Sequence, residues 1–395
     1  MNNWLERYIE YVDQTESPIE YHLWTAISIL AAAIERKVYL QFGHSRLFCN
    51  CYIILIGPPG IGKGIAMSLG SSLLHQLGTV NMAPEDVTRE EFIRMMASAQ
   101  KGFQDKKGHE VLQNPMTCFS EELIVFLHEK DVKFLGSLTN LYDNLEYGWT
   151  YATKNKGTDH LVGAWFNLLG GMAPDWMPVI FPQDLVGTGF LSRSVLVVAN
   201  AKAKVLENPQ IGQREELLRK SLMKDLLRVH QTVGTIAFSP SAQNFYGEWY
   251  REHERQIALG NPPVHGKNFA GYCNRKKTHL QKISMILAIA RSRNFLVEKE
   301  DVEEALGYLN NAETKMEAVF SHGNKNRLSE IALNILSYIS REKIVLKEDI
   351  LRKFMTDISI DDLTLIERGL IGAGYIKKIK KDKKPGYEII ERGKN

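Results

Sequence analysis

The sequence predicts an α/β fold: an open, mostly parallel sheet, then a helical segment, then a small C-terminal unit with its own apolar pattern. Three observations carry this. Cys51 to Ile56 is a short apolar run that stops at Gly57 and fits a strand buried on both faces. Strand-like and helix-like stretches then alternate to about Asn200, the pattern of an open α/β sheet. The tail from about Asn326 to Asn395 changes character, with three helical patterns followed by two short strands around a lysine-rich turn.

Four regions follow in order. Residues 1–50 read as a helical lead-in, with Trp4, Tyr8, Ile9 and Val12 at helical spacing and a second run over His22–Ile34. Residues 51–200 form the α/β core, opening with the strand before Gly57 and a helix from about Lys63 to Leu77. Residues 201–325 begin with a linker near 201–212. They continue as helices, ending in the long amphipathic stretch Val302–Phe320. Residues 326–395 read as helix (Leu328–Ser340), strand (Ile344–Leu346), two helices (Lys347–Phe354, Ile360–Ala373) and a hairpin around Lys380–Gly386.

Composition bounds the function classes. A chain of 395 residues with 44% apolar and 24% charged residues is ordinary for a globular protein of two or three units. Its formal charge of +3 is too small to argue for nucleic acid, so the placement of the lysines matters more. Cys49, Cys51, Cys118 and Cys273 form no CxxC pair and no zinc spacing, and read as buried thiols in a reducing cytosol. The longest apolar run, Trp24–Ile34, is far short of the ~20 residues that span a bilayer. The N-terminal stretch lacks a basic region before an apolar one. No signal peptide is therefore expected, and the expected location is cytoplasmic.

Gly57, Pro58, Pro59, Gly60, Ile61, Gly62, Lys63 and Gly64 follow a predicted strand and precede a predicted helix. That is the setting a phosphate-binding P-loop requires. Its glycines let backbone N–H groups turn inward around phosphates, the helix N-terminus adds partial positive charge, and Lys63 reaches the β- and γ-phosphates of ATP. Gly64 departs from the pattern, because Ser or Thr there usually ligates magnesium. The Mg²⁺ ion must then be held by water or by carboxylates elsewhere.

Pro115–Phe119 leads into Ser120, Glu121 and Glu122. In a P-loop protein the strand neighbouring the loop ends in acidic residues, one orienting magnesium and another polarising the attacking water. Glu121 is the expected essential carboxylate and magnesium ligand, with Glu122 beside it. Helix capping by Ser120 accounts for the same residues in purely structural terms. Farther on, Trp149–Thr153 and Leu161–Leu169 read as a hairpin with Lys154 and Lys156 at its tip. Such a tip is suited to DNA backbone contact, although exposed turns carry lysines for solvation alone. Arg193 stands immediately before the apolar run Ser194–Ala199, where it could reach a neighbouring subunit or simply form an ion pair.

In this order the loop, the Ser-Glu-Glu carboxylates, the lysine-tipped hairpin leading to Leu168–Pro174, and Leu191-Ser-Arg193 resemble the ATPase domain of minichromosome maintenance helicases. These belong to the AAA+ class of P-loop NTPases. The series is closer still to a group of phage and mobile-element proteins with a helical lead-in and GPPGxGK, SEE and GGFLSR-like motifs. The resemblance covers roughly residues 20–320 and implies an AAA+ core with a helical lid over 201–325. It further implies that Arg193 is an arginine finger acting in trans and that Lys154 or Lys156 touches DNA. The polar sensor expected before Pro174 is replaced here by Met172 and Ala173, with Asn167 as the substitute on the same strand. Arg275 or Lys282, at the start of the helix around Thr278–Arg291, is the lid residue expected to watch the γ-phosphate. Only residues 1–50 precede the core in this sequence, so no counterpart of the N-terminal DNA-binding domains of those helicases is expected within it.

The tail has the order of a winged helix. Its wing gathers Lys377, Lys378, Lys380, Lys381, Lys383 and Lys384, of which the last four are the expected DNA contacts. Its presumed recognition helix carries Asp361, Asp362 and Glu367 against Arg368, which suits backbone contact better than base reading.

The leading expectation is an ATP-driven DNA helicase or translocase of a phage or mobile element. It would act in replication as a homo-oligomeric ring of six, with DNA as ligand and a primase or another replication protein as candidate partner. An initiator- or loader-type ATP switch, which binds DNA without unwinding it, is the alternative. A nucleotide kinase would place Thr where Ile65 stands and needs no basic winged helix. A DNA-binding regulator with an inactive nucleotide site would explain Gly64 and the missing sensor.

Overall fold

A computed structural model describes residues 3–128, 131–143, 148–153, 157–181, 189–292, 295–381 and 384–390. The chain divides into two compact units, Met1–Val319 and Phe320–Asn395. Among the described residues no helix is long and apolar enough to cross a membrane.

The first unit opens with α1 (Trp4–Tyr11), started by a capping box between Asn3 and Glu6, and α2 (Ile19–Ile34). Helix α2 is apolar on nearly every side and correspondingly buried along most of its length. Glu35 ends it with φ +55°, held there by an ion pair to Lys101 (2.5 Å) and a hydrogen bond from Gln113 (3.0 Å). The chain then leaves the helical lead-in expected over 1–50. It forms a hairpin, β1 (Val38–Phe42) and β2 (Ser45–Phe48), turning at Gly43. β-Branched and aromatic residues with partial alternation decide for strand here.

The core continues with β3 (Tyr52–Ile56), buried throughout, α3 (Lys63–Leu77), α4 (Arg89–Ser98), β4 (Lys101–Gln104) and β5 (Glu110–Ser120). After α5 (Leu123–Leu127) and α6 (Val132–Tyr142) comes a separate hairpin, β6 (Trp149–Thr153) with β7 (Gly157–Leu161). The return arm expected over Leu161–Leu169 is therefore two strands: the chain turns at Gly163 and restarts as β8 (Ala164–Met172). Then come α7 (Met177–Ile180) and β9 (Ser194–Val198). The main sheet has the order β4-β5-β8-β3-β9, with β5, β8, β3 and β9 parallel and β4 antiparallel at the edge. The strand bearing the carboxylates, expected to neighbour the loop strand, is separated from it by β8.

Helix α8 (Gln213–His230), β10 (Gly234–Phe238), α9 (Pro240–Ala258), α10 (Ala270–Ala290) and β11 (Leu296–Val297) follow. Strands β10 and β11 join the first hairpin in a second sheet, β11-β10-β1-β2, within a region read as helical throughout. Helix α11 (Lys299–Glu342) replaces the two helices expected over Val302–Phe320 and Leu328–Ser340.

The second unit adds β12 (Ile344–Leu346), α12 (Lys347–Lys353), α13 (Ile360–Gly372), β13 (Ile376–Lys381) and β14 (Lys384–Ile389) to the end of α11. Its core gathers Ile335, Ile339, Val345, Ile350, Leu363, Ile366 and Tyr387 behind the sheet β12-β14-β13.

Candidate nucleotide site at the sheet edge

Strand β3 ends where the loop begins, at the C-terminal edge of the parallel strands. The Gly57 N–H donates to Met172 O at the end of β8, and Tyr21 on α2 donates its hydroxyl to Ile56 O (2.7 Å). Pro58, Pro59 and Gly60 are exposed, while Ile61 is buried and anchors the turn. Gly62, at φ +103°, caps α3 in a left-handed conformation that a side chain would strain. Its carbonyl accepts from Ser17 Oγ (2.9 Å), so the segment before α2 braces the loop from behind.

Lys63 opens α3, and its Nζ donates to the carbonyls of Gly57 (2.6 Å) and Pro58 (3.1 Å), lying across the loop. Partial burial pushes it below the usual lysine range, opposed by the charge of Glu122. Glu121 approaches from β5, across the intervening β8. A Cβ placed on Gly64 would lie 2.5 Å from Glu121 Oε2, so the carboxylate occupies the space a Ser or Thr side chain would need. Glu85 accepts the Glu121 backbone N–H (2.9 Å) and fixes this turn. The turn also packs tightly on β8, where a side chain at Gly171 would collide with Glu121 O. The capping explanation of Ser120 is not realised. Helix α5 starts after Glu122 without a side-chain cap, and buried Ser120 Oγ has no hydrogen-bond partner among the described residues.

The loop, Lys63, Glu121 and Glu122 therefore converge. Exposed loop backbone, the N-terminus of a 15-residue helix and one lysine match a polyphosphate. A pair of carboxylates matches magnesium, which is usually held by one or two acids together with phosphate oxygens and water. Among the described residues no three His, Cys, Asp or Glu side chains converge to hold a metal by themselves.

The remaining candidates lie elsewhere. Asn167 stands five residues before the end of β8, roughly 16 Å from the loop edge. Its Oδ1 accepts from the Cys51 N–H (3.0 Å) and its Nδ2 donates to Ser28 O (3.2 Å) and Oγ (3.0 Å). Buried and spent on these bonds, Asn167 is a strut between β8, β3 and α2 and cannot serve as the phosphate sensor. Lys282 is equally committed. Its Nζ donates to Asn50 O (2.9 Å) and Oδ1 (2.7 Å), 3.7 Å from the Tyr142 ring centre, and burial pushes it down to about 7. Asn50 precedes β3, so Lys282 sits at the opposite edge of the sheet from the loop.

Arg193 and Arg275 share that edge. Ser194 is in register with Tyr52, the first residue of β3. Arg193, only 8% exposed, donates through Nε (3.3 Å) and Nη2 to Asp143 and through Nη1 to Gly189 O (3.0 Å). Arg275 reaches the same carboxylate at 3.4 Å.

In the second unit, Lys377 pairs with Glu388 (2.9 Å), Lys378 with Glu367 (3.7 Å) and Lys384 with Glu348 (2.7 Å), so much of the wing charge is answered within the unit. Lys380 lies on β13 opposite Pro385, and Lys381 ends that strand. Lys154, Lys156 and Lys383 lie outside the described residues.

Glu85, Ser17 and Asp143 were not singled out from the sequence. Each acts through a partner distant in the chain, and no local pattern marks it. Compared with known families and with curated proteins, the chain finds no match.

Proposed function

We propose that this chain is an ATP-hydrolysing motor of the AAA+ class that moves along DNA as a ring, a replicative helicase of a phage or mobile element. In this reading α8–α11 form the lid and the second unit is a winged helix. The observation that carries it is the approach of the Glu121 carboxylate to Gly64 beside Lys63, at the C-terminal edge of a parallel sheet. Bound ATP with Mg²⁺ would supply a phosphoanhydride whose cleavage releases the energy for movement. The loop N–H groups and the α3 N-terminus would hold its phosphates, and Lys63 would neutralise charge on the transferring group. Glu121 would serve the ion and the attacking water, with Glu85 holding its backbone in place. Glu122 favours the charged form of Lys63.

The test is ATP turnover with and without single-stranded DNA on material sized by light scattering, beside strand displacement on a forked duplex. Neutralising Lys154 and Lys156 together should abolish displacement and leave basal hydrolysis. The alternative is a loader or switch that binds DNA without unwinding it. DNA-stimulated turnover by a wild-type protein that never displaces a strand would select it.

A further inference from the structure

A second site lies away from the phosphate loop, at the other end of α2. Ser17 and Tyr21, near the start of α2, touch the loop, whereas Arg36 and Lys37 follow its end. Sixteen helical residues separate the two places by about 24 Å. There the β1–β2 hairpin, the tip of the β4–β5 hairpin and the start of β10 enclose an open cleft of about 180 Å³.

Its walls combine cations with aromatic rings. Arg46, Lys106 and Lys107 are exposed on two different hairpins, and Arg36 and Lys37 form its buried floor. Tyr39 and Phe103, both half-buried, supply ring surface between them, with Phe48 buried behind. The Arg36 guanidinium lies over the Phe48 ring, 4.3 Å from its centre, and that of Arg46 over the Tyr39 ring at 4.8 Å, within cation–π range. Asp105 is the one acid in the lining, held in its ionised form by the hairpin turn and outnumbered by the cations around it. Its Oδ1 accepts from the backbone N–H groups of His109 (2.9 Å) and Lys107 (2.8 Å), closing the hairpin turn. Lys106 is held in place by packing, its stem against Gly234 and its Nζ 3.5 Å from the Phe295 ring centre. Lys37 is answered by Glu35 (3.5 Å), whereas Arg46, Lys106 and Lys107 bring like charge to one opening from two hairpins, and an anionic occupant lowers the repulsion between them.

Size bounds what a larger anion can do here. Pockets that bury a small molecule measure about 300–1,000 Å³, well above this cleft. An occupant larger than a free inorganic ion would therefore be held along one side, as a chain passing across. A cationic groove interleaved with aromatic side chains suits a phosphodiester backbone whose bases can stack.

We infer that this cleft is a contact for single-stranded nucleic acid, with Arg46, Lys106 and Lys107 on its phosphates and Tyr39 and Phe103 against its bases. It rests on the DNA reading above in naming the ligand, and it adds a second place of contact beyond the lysine-tipped hairpin and the wing.

The experiment measures binding of fluorescent oligo(dT) and oligo(U) to the full chain by anisotropy across a salt series. The variant Arg46→Gln/Lys106→Gln/Lys107→Gln changes exposed positions and should melt as wild type does. Its affinity at low salt should fall at least about tenfold, and its salt slope should become shallower by about 2, since each lost single-strand contact contributes roughly 0.7. Tyr39→Leu/Phe103→Leu, which keeps apolar bulk, should weaken binding and leave the slope unchanged. Wild-type affinity and slope in the triple variant, with wild type binding well, would overturn the cleft and leave the DNA reading standing. No binding of either oligonucleotide by wild type would overturn both. Competition by polyglutamate as strong as by oligonucleotide of equal charge would reassign the cleft to an acidic protein.

Discussion

Gly64 and Glu121 share one space: a Cβ on Gly64 would lie 2.5 Å from Glu121 Oε2 and 3.1 Å from its Cδ. Where a loop hydroxyl would otherwise reach magnesium, this chain places a carboxylate from a strand two positions away in the sheet. Restoring the common residue should therefore harm the site. Gly64→Ser should fold, because the Glu121 side chain is exposed and can swing aside. ATP turnover should then fall about tenfold, a barrier increase near 1.4 kcal/mol, through misplacement of the carboxylate. Faster turnover in Gly64→Ser would mean that the glycine is a lost ligand and not a complement to Glu121.

Lys63→Ala should abolish hydrolysis at little cost to folding. It removes two hydrogen bonds made by a half-exposed amine to loop carbonyls, worth roughly 1–2 kcal/mol each. Glu121→Gln should retain nucleotide binding and lose turnover. Glu122→Gln should keep measurable turnover, since in this structure Glu122 acts on Lys63 only through its charge. Equilibrium binding of a fluorescent ATP analogue, run beside phosphate release, separates the three. A dead Glu122→Gln beside an active Glu121→Gln would exchange the two roles.

Legibility followed locality. The loop, β3, α3 and the second unit's elements were readable because apolar period and glycine punctuation lie within a few residues of one another. Val38–Phe48 was misread because its strand pattern follows the apolar α2 with only Glu35, Arg36 and Lys37 between. Strand order was not readable at all, since nothing local says that β8 separates β5 from β3. The same limit misdirected the sensor residues. Asn167 and Lys282 are polar residues in apolar stretches and so implied partners, but their partners prove to be Ser28, Cys51 and Asn50. Glu85 sits in an irregular acidic loop, where a carboxylate is unremarked until the Glu121 N–H is seen to donate to it.

The buried Lys282 gives a pH signature. Its ordinary value of 10.5 is pushed down to about 7 by burial. Between those values the unfolded chain binds the proton more than the folded chain does, so stability rises with pH through this window. The slope reaches at most about 1.4 kcal/mol per pH unit. Below pH 7 both states hold the proton and the penalty is complete. Lys282→Met should lose this rise, while leaving Asn50 Oδ1 without its donor. Denaturant unfolding of both proteins at intervals from pH 6 to 9.5 checks it. Parallel stability curves would show that Lys282 stays charged in the fold.

Arg193 is the point at which assembly and chemistry can be separated. Within one chain its guanidinium is held by Asp143 and Gly189, and Asp143 is shared with Arg275 from α10. A strut of this kind and a finger for a neighbouring subunit make different demands. For the finger, Arg193→Ala should cost roughly 10³-fold in turnover with the fold intact. Mixing it with Lys63→Ala should restore some activity, because one kind of interface then pairs an intact loop with an intact arginine. Asp143→Asn loosens the hold within the chain and should raise turnover at protein concentrations where assembly is incomplete. For the strut, Arg193→Ala and Asp143→Asn should both lower the melting temperature, and turnover should fall only with the folded fraction. The decisive measurement is turnover of the mixture across a range of ratios, with subunit exchange followed separately by fluorescence. Exchange without recovery of turnover would restrict Arg193 to its own chain.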